Sequence, residues 1–237
     1  MAPLGYLLVY SDPGEKVTEE EFTDWYDNEH VPLRVAVPAF LSWDRWVAVD
    51  EQKPRWAATY DLTSYEATQQ PPYTTLAATR SERERRIIQE VGVLDRRTYE
   101  AYESPTPLAP SELFDPAKPA PYIVAVATDV KEGTEDNYNR WYDEEHIPLL
   151  SKIPGWIRSR RFVLKDWGQL GVEAEKAGQK KPPKYLAVHE YTELPTKDSK
   201  EHHAAMNTPW RDEIVKTWVS YERRMFKHHK NWQRDAQ

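Results

Sequence analysis

The sequence predicts an α+β protein in which two ferredoxin-like β-α-β-β-α-β repeats form an intrachain α/β barrel. Three observations predict this fold. A twelve-residue motif occurs twice, strand-like and helix-like segments follow the same order in both halves, and a proline-rich stretch separates the halves. Each sheet would carry helices on one face and leave its other face apolar, so pairing the two apolar faces would bury both.

The repeated motif lies at residues 22–33 and again at residues 138–149. Both copies follow the pattern aromatic-x-x-Trp-Tyr-Asp-x-Glu-His-aliphatic-Pro-Leu. Equivalent positions lie 116 residues apart. A match of this length indicates an internal duplication. We therefore predict a first repeat over residues 1–103, a proline-rich linker over residues 104–121 and a second repeat over residues 122–237.

The first repeat contains branched or aromatic runs that predict strands and polar, periodic runs that predict helices. The strands are predicted at residues 4–10, 41–49, 55–62 and 97–102, and the helices at residues 18–31, 64–70 and 73–91. Thr18 begins the first helix, because it forms a capping box with Glu21. The helix should end before Pro32, since proline disfavours helical geometry in the residue that precedes it.

The second repeat follows the same order of elements. Its strands are predicted at residues 122–127, 156–164, 185–191 and 219–222, and its first helix is predicted to run from Gly133 to the residue before Pro148. Residues 165–184 are rich in glycine, lysine and proline and have no counterpart in the first repeat. They are predicted to form an insertion.

The composition excludes several classes of function. The 237 residues carry a net charge of −7, so there is no basic excess to attract nucleic acid or an anionic membrane surface. Cysteine is absent, which excludes disulfides, thiolate metal sites and cysteine nucleophiles and fits a reducing compartment. The apolar runs are too short to cross a bilayer, and no signal-peptide pattern is evident. We expect a cytoplasmic monomer or homodimer without nucleic-acid or membrane partners.

The motif Trp-Tyr-Asp-x-Glu-His-aliphatic-Pro-Leu resembles that of the EthD-like family within the dimeric α/β-barrel superfamily. Members usually assemble the barrel from two chains, so the resemblance implies a tandem, dimeric-type α/β barrel within one chain, with a pocket between sheets and helices. The superfamily includes decarboxylases, cyclases, isomerases, cofactor-free monooxygenases and haem enzymes. The fold alone therefore does not select a reaction.

The two histidines of the motif, His30 and His146, are the leading catalytic candidates. Each follows an acidic residue, and the ordinary histidine pKa of about 6.5 suits a general base near neutral pH. Tyr26 and Tyr142 lie one helical turn earlier and could donate a hydrogen bond to a developing oxyanion. The alternative is structural: each His fixes the end of its helix, and each Tyr is a buried aromatic residue. Recurrence in both repeats fits either interpretation.

Further aromatic residues are candidates for substrate binding. Trp25, Trp141, Trp43 and Trp46 could form the apolar wall of a pocket for a flat substrate, or they could simply pack in the core. His189 is a candidate as well, because strand alternation could turn it towards the pocket of the second repeat.

Matching Tyr60 to Tyr191 makes Ala58 the counterpart of His189, which would confine any role of His189 to the second repeat.

The remaining charged segments indicate no second site. Residues 80–86 mix Arg and Glu at helical spacing, which predicts a salt-bridged surface. The sequence contains no metal-binding spacing, dinucleotide motif or phosphate loop, so we expect neither a metal nor another cofactor.

These residues, together with the resemblance, predict a cofactor-independent acid–base enzyme of the decarboxylase, cyclase or isomerase type. The resemblance and the aromatic content imply a small aromatic or polyketide-derived substrate and a role in secondary metabolism. The alternatives are a cofactor-free monooxygenase of phenolic substrates, a haem-binding protein and a non-catalytic binder of hydrophobic metabolites.

Overall fold

The computed structural model describes residues 2–234, which divide into two compact units. The first unit contains residues 2–101, 164–182 and 229–234, and the second contains residues 102–163 and 183–228. Each unit therefore draws its residues from separate stretches of the chain. Within the described residues, no helix is long and apolar enough to cross a membrane.

The first unit is an α+β structure built on a four-stranded antiparallel sheet. Its strands are β1 (Gly5–Asp12), β2 (Asp44–Ala48), β3 (Trp56–Leu62) and β4 (Val93–Ala101), and its helices include α1 (Glu19–Trp25), α2 (Val31–Val35) and α3 (Glu82–Glu90). Strand β1 pairs with both β3 and β4, and β2 pairs with β3. Every residue of β1 is buried, so this strand lies within the core.

The second unit repeats this order and pairing. Its strands are β5 (Tyr122–Val130), β6 (Trp156–Leu170), β7 (Tyr185–Tyr191) and β8 (Trp218–Asn231), and its helices are α4 (Glu135–Trp141), α5 (Ile147–Leu150), α7 (Lys200–Met206) and α8 (Pro209–Val215). Strand β5 pairs with β7 and β8, and β6 pairs with β7. The predicted order β-α-β-β-α-β therefore occurs in both units.

The strand registers correct the alignment of the two halves. Gly5 pairs with Leu62 at the end of β3, whereas Tyr122 pairs with Tyr191 at the end of β7. Leu7, Val9 and Tyr60 line the first-unit cavity as Val124, Val126 and His189 line that of the second, so His189 corresponds to Tyr60 and not to Ala58. The prediction was wrong because it aligned Tyr191 with Tyr60, whereas Tyr191 corresponds to Leu62, two residues later. The sequence does not show this shift.

The repeated motif forms a helix with a π-helical turn at its centre. In the first unit, Tyr26–His30 is π-helical, and the amide of Val31 donates to the carbonyl of Tyr26, five residues earlier. The helix then continues through Pro32 to Val35, so the prediction that Pro32 ends it was wrong. Proline is tolerated there because it occupies the first turn of α2, where an amide N–H is dispensable. Tyr142–His146 forms the same turn in the second unit.

Two other predicted elements differ from the structure. The helix predicted at residues 73–91 is divided into a 3₁₀ turn at Thr74–Ala77 and α3, which begins where Ser81 accepts a hydrogen bond from the amide of Glu84. The predicted insertion at residues 165–184 begins as a continuation of β6, followed by α6 (Val172–Ala177). The Ser81 cap is a local signal for the start of α3, whereas the extension of β6 is not marked in the composition of residues 165–184.

Residues 104–121 contain no helix or strand, in keeping with their proline content. They nevertheless lie against β6, because the amide of Ser111 donates to the carbonyl of Ile157 at 2.8 Å and its hydroxyl donates to that of Trp156 at 2.8 Å. These two hydrogen bonds attach the segment to β6 within the second unit.

A buried Asp–Arg ion pair joins the motif helix to the sheet in the first unit. Asp27, on the π-helical turn, pairs with Arg45 of β2, which is 1% exposed. The Arg45 guanidinium carbon lies 4.6 Å from the ring centroid of Tyr26 and 4.3 Å from that of Trp56. Lys230 also contacts Asp27, at 3.1 Å. The cation is therefore enclosed by its carboxylate partner and by aromatic faces.

The second unit contains the equivalent pair. Arg161 lies 3.5 Å from Asp143, and its guanidinium carbon lies 4.4 Å from the ring centroid of Tyr142. Asp27 and Asp143, like Arg45 and Arg161, lie 116 positions apart in the sequence. The same interaction therefore fixes the motif helix in both units.

We expect Arg45→Met to lower the free energy of unfolding by about 3–5 kcal/mol, because it leaves a buried carboxylate with a single, partly exposed partner. Urea unfolding followed by tryptophan fluorescence and circular dichroism would measure this loss. Arg55→Met is the matched control, since the Arg55 side chain is 60% exposed and its substitution should change stability little. Equal effects of the two substitutions would contradict the role assigned to the pair.

Candidate functional site

The first unit contains a cavity of about 350 Å³ beside the motif helix. A volume near 300 Å³ is at the lower end of small-molecule sites. The apolar part of its wall includes Leu7, Val9, Tyr73, Leu76, Ile88, Leu94 and Leu170, and the polar part includes His30, Arg34, Tyr60, Arg80, Glu84 and Arg96. The cavity therefore combines an apolar wall with a small polar group of residues.

His30 lies in this wall and is paired with a buried carboxylate. Its Nδ1 lies 2.7 Å from Oε1 of Glu84, and the exposed fractions of the two residues are 8% and 2%. The π-helical turn places the His30 ring over both Trp25 and Tyr26, with ring centroids 4.6 and 4.8 Å apart. The imidazole is thus held on one side by aromatic rings and on another by a carboxylate.

The start of α3 positions Glu84. Ser81 caps this helix by accepting a hydrogen bond from the amide of Glu84 at 2.9 Å, and its hydroxyl donates to Glu29 at 2.5 Å. Glu29 belongs to the same π-helical turn as His30. The turn and the helix are therefore joined beside the catalytic candidate, which fixes the distance between His30 and Glu84.

The electrostatics favour a neutral imidazole at His30. Burial lowers the pKa of His30 well below its usual value, and the charges of Arg34, Arg80 and Arg45 act in the same direction. Burial raises the pKa of Glu84, while Arg34 and Arg80 oppose that rise and favour its carboxylate. An ionised Glu84 can only accept a hydrogen bond, and with that partner Nδ1 of His30 carries the proton and Nε2 retains the lone pair.

Tyr60 and Tyr73 are the two tyrosines of the cavity wall, and Tyr26 lies beside Tyr60. Burial raises the pKa of Tyr60 well above its usual value, and the neighbouring phenol of Tyr26 adds to the effect. Burial also raises the pKa of Tyr26. Both phenols are therefore protonated at neutral pH, and the hydroxyl oxygen of Tyr60 is buried beside Tyr26.

The tryptophans proposed for substrate binding in the first unit are buried away from this wall. Trp25 packs against His30 and Phe22, Trp43 lies beneath the guanidinium of Arg234 at 5.3 Å, and Trp46 donates to Thr59 at 2.8 Å. Of the three, Trp25 contacts a residue of the cavity wall, His30.

The second unit places its motif residues around a smaller cavity, of about 60 Å³. His146, Tyr142, Trp141 and His189 all line it. His146 is stacked on Trp141 with ring centroids 4.3 Å apart, and its Nδ1 has no hydrogen-bond partner among residues 2–234. His189 accepts from or donates to the hydroxyl of Ser159 at 2.8 Å. The predicted residues thus meet, but in a space for only a very small ligand.

Among the described residues of the second unit, His146 has no carboxylate partner equivalent to Glu84. Thr208 caps α8 by accepting from the amide of Arg211, as Ser81 caps α3 by accepting from that of Glu84. Arg211 therefore occupies the position of Glu84. Burial lowers the pKa of His146 well below its usual value, and the charges of His189 and Arg211 lower it further. The two units share the motif helix and its Asp–Arg pair, but only the first has a histidine–carboxylate pair.

Sequence reasoning missed several residues of the site. Residues 80–86 were predicted to be a salt-bridged surface, yet Glu84 is buried against His30, and Arg80 lines the cavity. Arg83 and Arg86 do form surface ion pairs, with Asp24 and Glu21 respectively. The sequence signal that was available is the Ser81 cap, which places Glu84 in the first turn of a helix but does not identify His30 as its partner.

The described residues offer no group of three or more His, Cys, Asp or Glu side chains that could hold a metal ion. The histidine pair in the second unit is flanked by Arg211 and Arg223, whose charges oppose cation binding. Neither cavity therefore provides a recognisable metal centre within the described part of the chain.

Comparison with protein families gives no match, and comparison with curated proteins gives none either. Solved structures are similar. An anthrone oxidase-like protein is 12% identical, with a TM-score of 0.61, over 100% of this chain and 95% of its own. A protein of Lactobacillus acidophilus provisionally described as a monooxygenase is 9% identical, with a TM-score of 0.54, over 98% of this chain and 97% of its own.

A third similar structure is provisionally described as a chlorite dismutase, 13% identical, with a TM-score of 0.57, over 97% of this chain and 96% of its own. These neighbours are dimeric α/β-barrel proteins. This chain has the same fold. The low identity establishes the fold without establishing a shared reaction.

We expect the stability of the protein to fall on acidification partly because of His189. Burial, ahead of the charges of Arg223 and Arg161, lowers its pKa from 6.5 to about 3. Between these two values the unfolded chain binds the proton and the folded chain does not. The free energy of unfolding therefore decreases as pH falls from 6.5 towards 3, by up to about 1.4 kcal/mol per pH unit.

Urea unfolding at pH 7, 6, 5 and 4.5 would test this expectation. His189→Gln should lose less stability across that range than the wild type, whatever its stability at pH 7. His203→Gln, which changes an exposed residue of α7, is the control and should behave as the wild type does. An unchanged pH dependence in His189→Gln would show that His189 is not a buried neutral group.

Proposed function

We propose that the cavity of the first unit is the active site of a cofactor-independent acid–base enzyme in which His30 is the general base. One observation carries the proposal: His30 and Glu84 form a buried, hydrogen-bonded pair in the wall of a cavity of about 350 Å³. A histidine whose Nδ1–H is bound by a carboxylate has a fixed tautomer and orientation, and its Nε2 is available as a base.

The proposed reaction begins with the transfer of one proton. Nε2 of His30 removes a proton from an activated C–H or O–H group of the substrate, and the electron pair of the broken bond remains on the substrate as an enolate or phenolate. Glu84 stabilises the imidazolium that results. A tyrosine of the cavity wall, Tyr73 or Tyr60, would donate a hydrogen bond to the developing oxyanion. Return of the proton to a different carbon would complete an isomerisation, and a cyclisation or decarboxylation would proceed through the same kind of anion.

The apolar wall and the volume of the cavity support a small aromatic or polyketide-derived substrate. The resemblance of the repeated motif supports placing the chain among EthD-like proteins, as a tandem duplication that acts in secondary metabolism as a monomer or homodimer. The matched Asp–Arg pairs support the duplication, because a buried ion pair at equivalent positions is a specific feature to share. In this proposal the second unit has a structural role.

A cofactor-free monooxygenase is the second candidate, because the fold neighbours include an anthrone oxidase-like protein and a protein described as a monooxygenase. The first step is the same deprotonation by His30. The substrate anion would then transfer electrons to dioxygen, a CH₂ group would become a carbonyl, one oxygen atom would enter the product and the other would leave in water. The two candidates differ only in the fate of the anion.

We expect His30→Gln to lower the rate of base-catalysed proton exchange by about 10²–10⁴-fold, the usual contribution of a positioned general base. The measurement is deuterium incorporation into anthrone at C10 in buffered D₂O, followed by NMR under nitrogen and corrected for the uncatalysed rate. Glu84→Gln should lower the rate less, because an amide oxygen still accepts from Nδ1 but does not stabilise the imidazolium. Wild-type exchange no faster than that of His30→Gln would refute the proposed base.

His146→Gln removes the equivalent histidine of the second unit and should retain most of the activity. A loss in His146→Gln with full activity in His30→Gln would place the active site in the second unit.

Since the pKa of His30 is lowered well below 6.5, kcat/KM should stay level from neutral pH to below pH 6 and should fall only in more acidic buffer.

Oxygen uptake distinguishes the two candidate reactions. If the protein is a monooxygenase, wild-type enzyme with anthrone or a hydroquinone in air should consume one dioxygen per product, measured with an oxygen electrode. His30→Gln should reduce that uptake in proportion to its loss of proton exchange, because both depend on the same deprotonation. Exchange without oxygen uptake would favour the isomerase, cyclase or decarboxylase. A Soret band in the purified protein would instead indicate haem-dependent oxidation.

A further inference from the structure

The wall of the first-unit cavity carries more positive than negative charge. It contains Arg34, Arg80, Arg96 and one carboxylate, that of Glu84. Arg96 is neutralised elsewhere, because it lies 2.5 Å from Asp166. Two guanidinium groups therefore face one carboxylate, which leaves an excess of one positive charge at the cavity.

Of the two cations, Arg80 makes fewer interactions with other residues. It is half-buried immediately before the Ser81 cap, and within residues 2–234 it makes no ion pair or hydrogen bond through its side chain. Its charge nevertheless acts on both His30 and Glu84, since it shifts the pKa of each downward. Its guanidinium therefore lies close to the proposed base while its donors remain unused.

Arg34 is buried beside the proposed base. Its Nη1 donates to the backbone carbonyl of His30 at 2.6 Å, which fixes the side chain one helical turn after the imidazole. The guanidinium carbon lies 5.9 Å from the ring centroid of Tyr73. Its charge is not balanced by an ion pair within the described residues, although it is only 8% exposed. A buried cation of this kind favours an anion nearby.

We propose that the cavity takes its substrate as an aromatic carboxylate, whose carboxylate group is bound by Arg80 and Arg34 while the ring lies against the apolar wall. This inference rests on the proposed function and specifies the substrate class of the same site. A carboxylate would balance the excess positive charge, and a planar guanidinium is suited to bind its two oxygens together. The anion would be anchored beside Nε2 of His30, which would orient the adjacent acidic C–H or O–H group.

Arg34 and Arg80 have no counterparts at the same positions of the second unit, although Arg211 and Arg223 line its smaller cavity. The position of Arg34 in the motif corresponds to Leu150, and the position of Arg80 relative to the helix cap corresponds to Asn207. Both cations are thus confined to the unit that has the larger cavity and the histidine–carboxylate pair. The positions of these two arginines are therefore specific to the first unit, and the repeated motif does not require them.

Binding of 2-naphthoate and its neutral isostere 2-naphthamide would test the inference. Isothermal titration calorimetry at pH 8 and low salt should give a Kd for 2-naphthoate that is about 10–100-fold lower than that for 2-naphthamide, as a charge-assisted bidentate contact predicts. Arg80→Gln should remove most of this preference by weakening naphthoate binding and leaving naphthamide binding nearly unchanged. Arg80→Lys should restore part of it.

Arg85→Gln is the matched control, because it removes the same charge from an exposed position of α3. It should leave both dissociation constants unchanged apart from a small salt-dependent effect. Equal affinity for the two probes, equal effects of Arg80→Gln and Arg85→Gln, or no binding of either probe at millimolar concentration would each overturn the inference.

The binding test needs no turnover, so its result is independent of the proposed reaction. Selective naphthoate binding in His30→Gln as in the wild type would support the anion site whether or not proton exchange occurs. Loss of exchange with intact binding would refute the reaction alone, and exchange without carboxylate preference would refute the anion site alone.

Discussion

The structure depends on a buried ion pair between the motif helix and the sheet. Asp27 and Arg45 in the first unit, and Asp143 and Arg161 in the second, place a charge pair where a misplaced helix would leave an uncompensated charge. The energetic cost of that alternative is several kcal/mol, so the pair disfavours a misplaced helix. The π-helical turn supports the arrangement, because its extra residue turns both the aspartate and the histidine of the motif inward. Tyr26 and Tyr142 then lie against the paired guanidinium groups.

The two units share this ion pair and π-helical turn but differ in the residues around the histidine. In the first, the cap of α3 brings Glu84 to His30 and leaves a cavity of about 350 Å³. In the second, Arg211 takes the place of Glu84 and the cavity is about 60 Å³. The shared aspartate and arginine are explained by folding, whereas the histidine acquires a carboxylate partner in one unit only. Identical motif residues therefore do not imply identical function.

The segment expected to be an insertion also contributes to the first-unit cavity. Gly168, Gln169, Leu170 and Gln179 line part of its wall. The amides of Val172 and Glu173 donate to the carbonyls of Val91 and Gly92, at 2.9 and 3.0 Å. Gly171 permits this approach, because its φ is 106° and a Cβ atom at this position would lie only 2.6 Å from the carbonyl oxygen of Gly92. Part of the specificity of the first-unit cavity is thus supplied by residues distant in sequence.

The sequence by itself determined the α+β class, the order of the strands and the importance of the repeated motif, because alternation, capping residues and an exact spacing of 116 positions are local or periodic signals. It also contained the Asp–Arg pairs, at the same spacing, although only their burial reveals their role. The tertiary structure alone decided that Glu84 faces His30, that Tyr60 corresponds to His189 and that residues 168–179 complete the first-unit cavity. Each of these depends on strand register or on contacts between distant segments. Such contacts are selected by packing of the whole chain, so no local pattern encodes them.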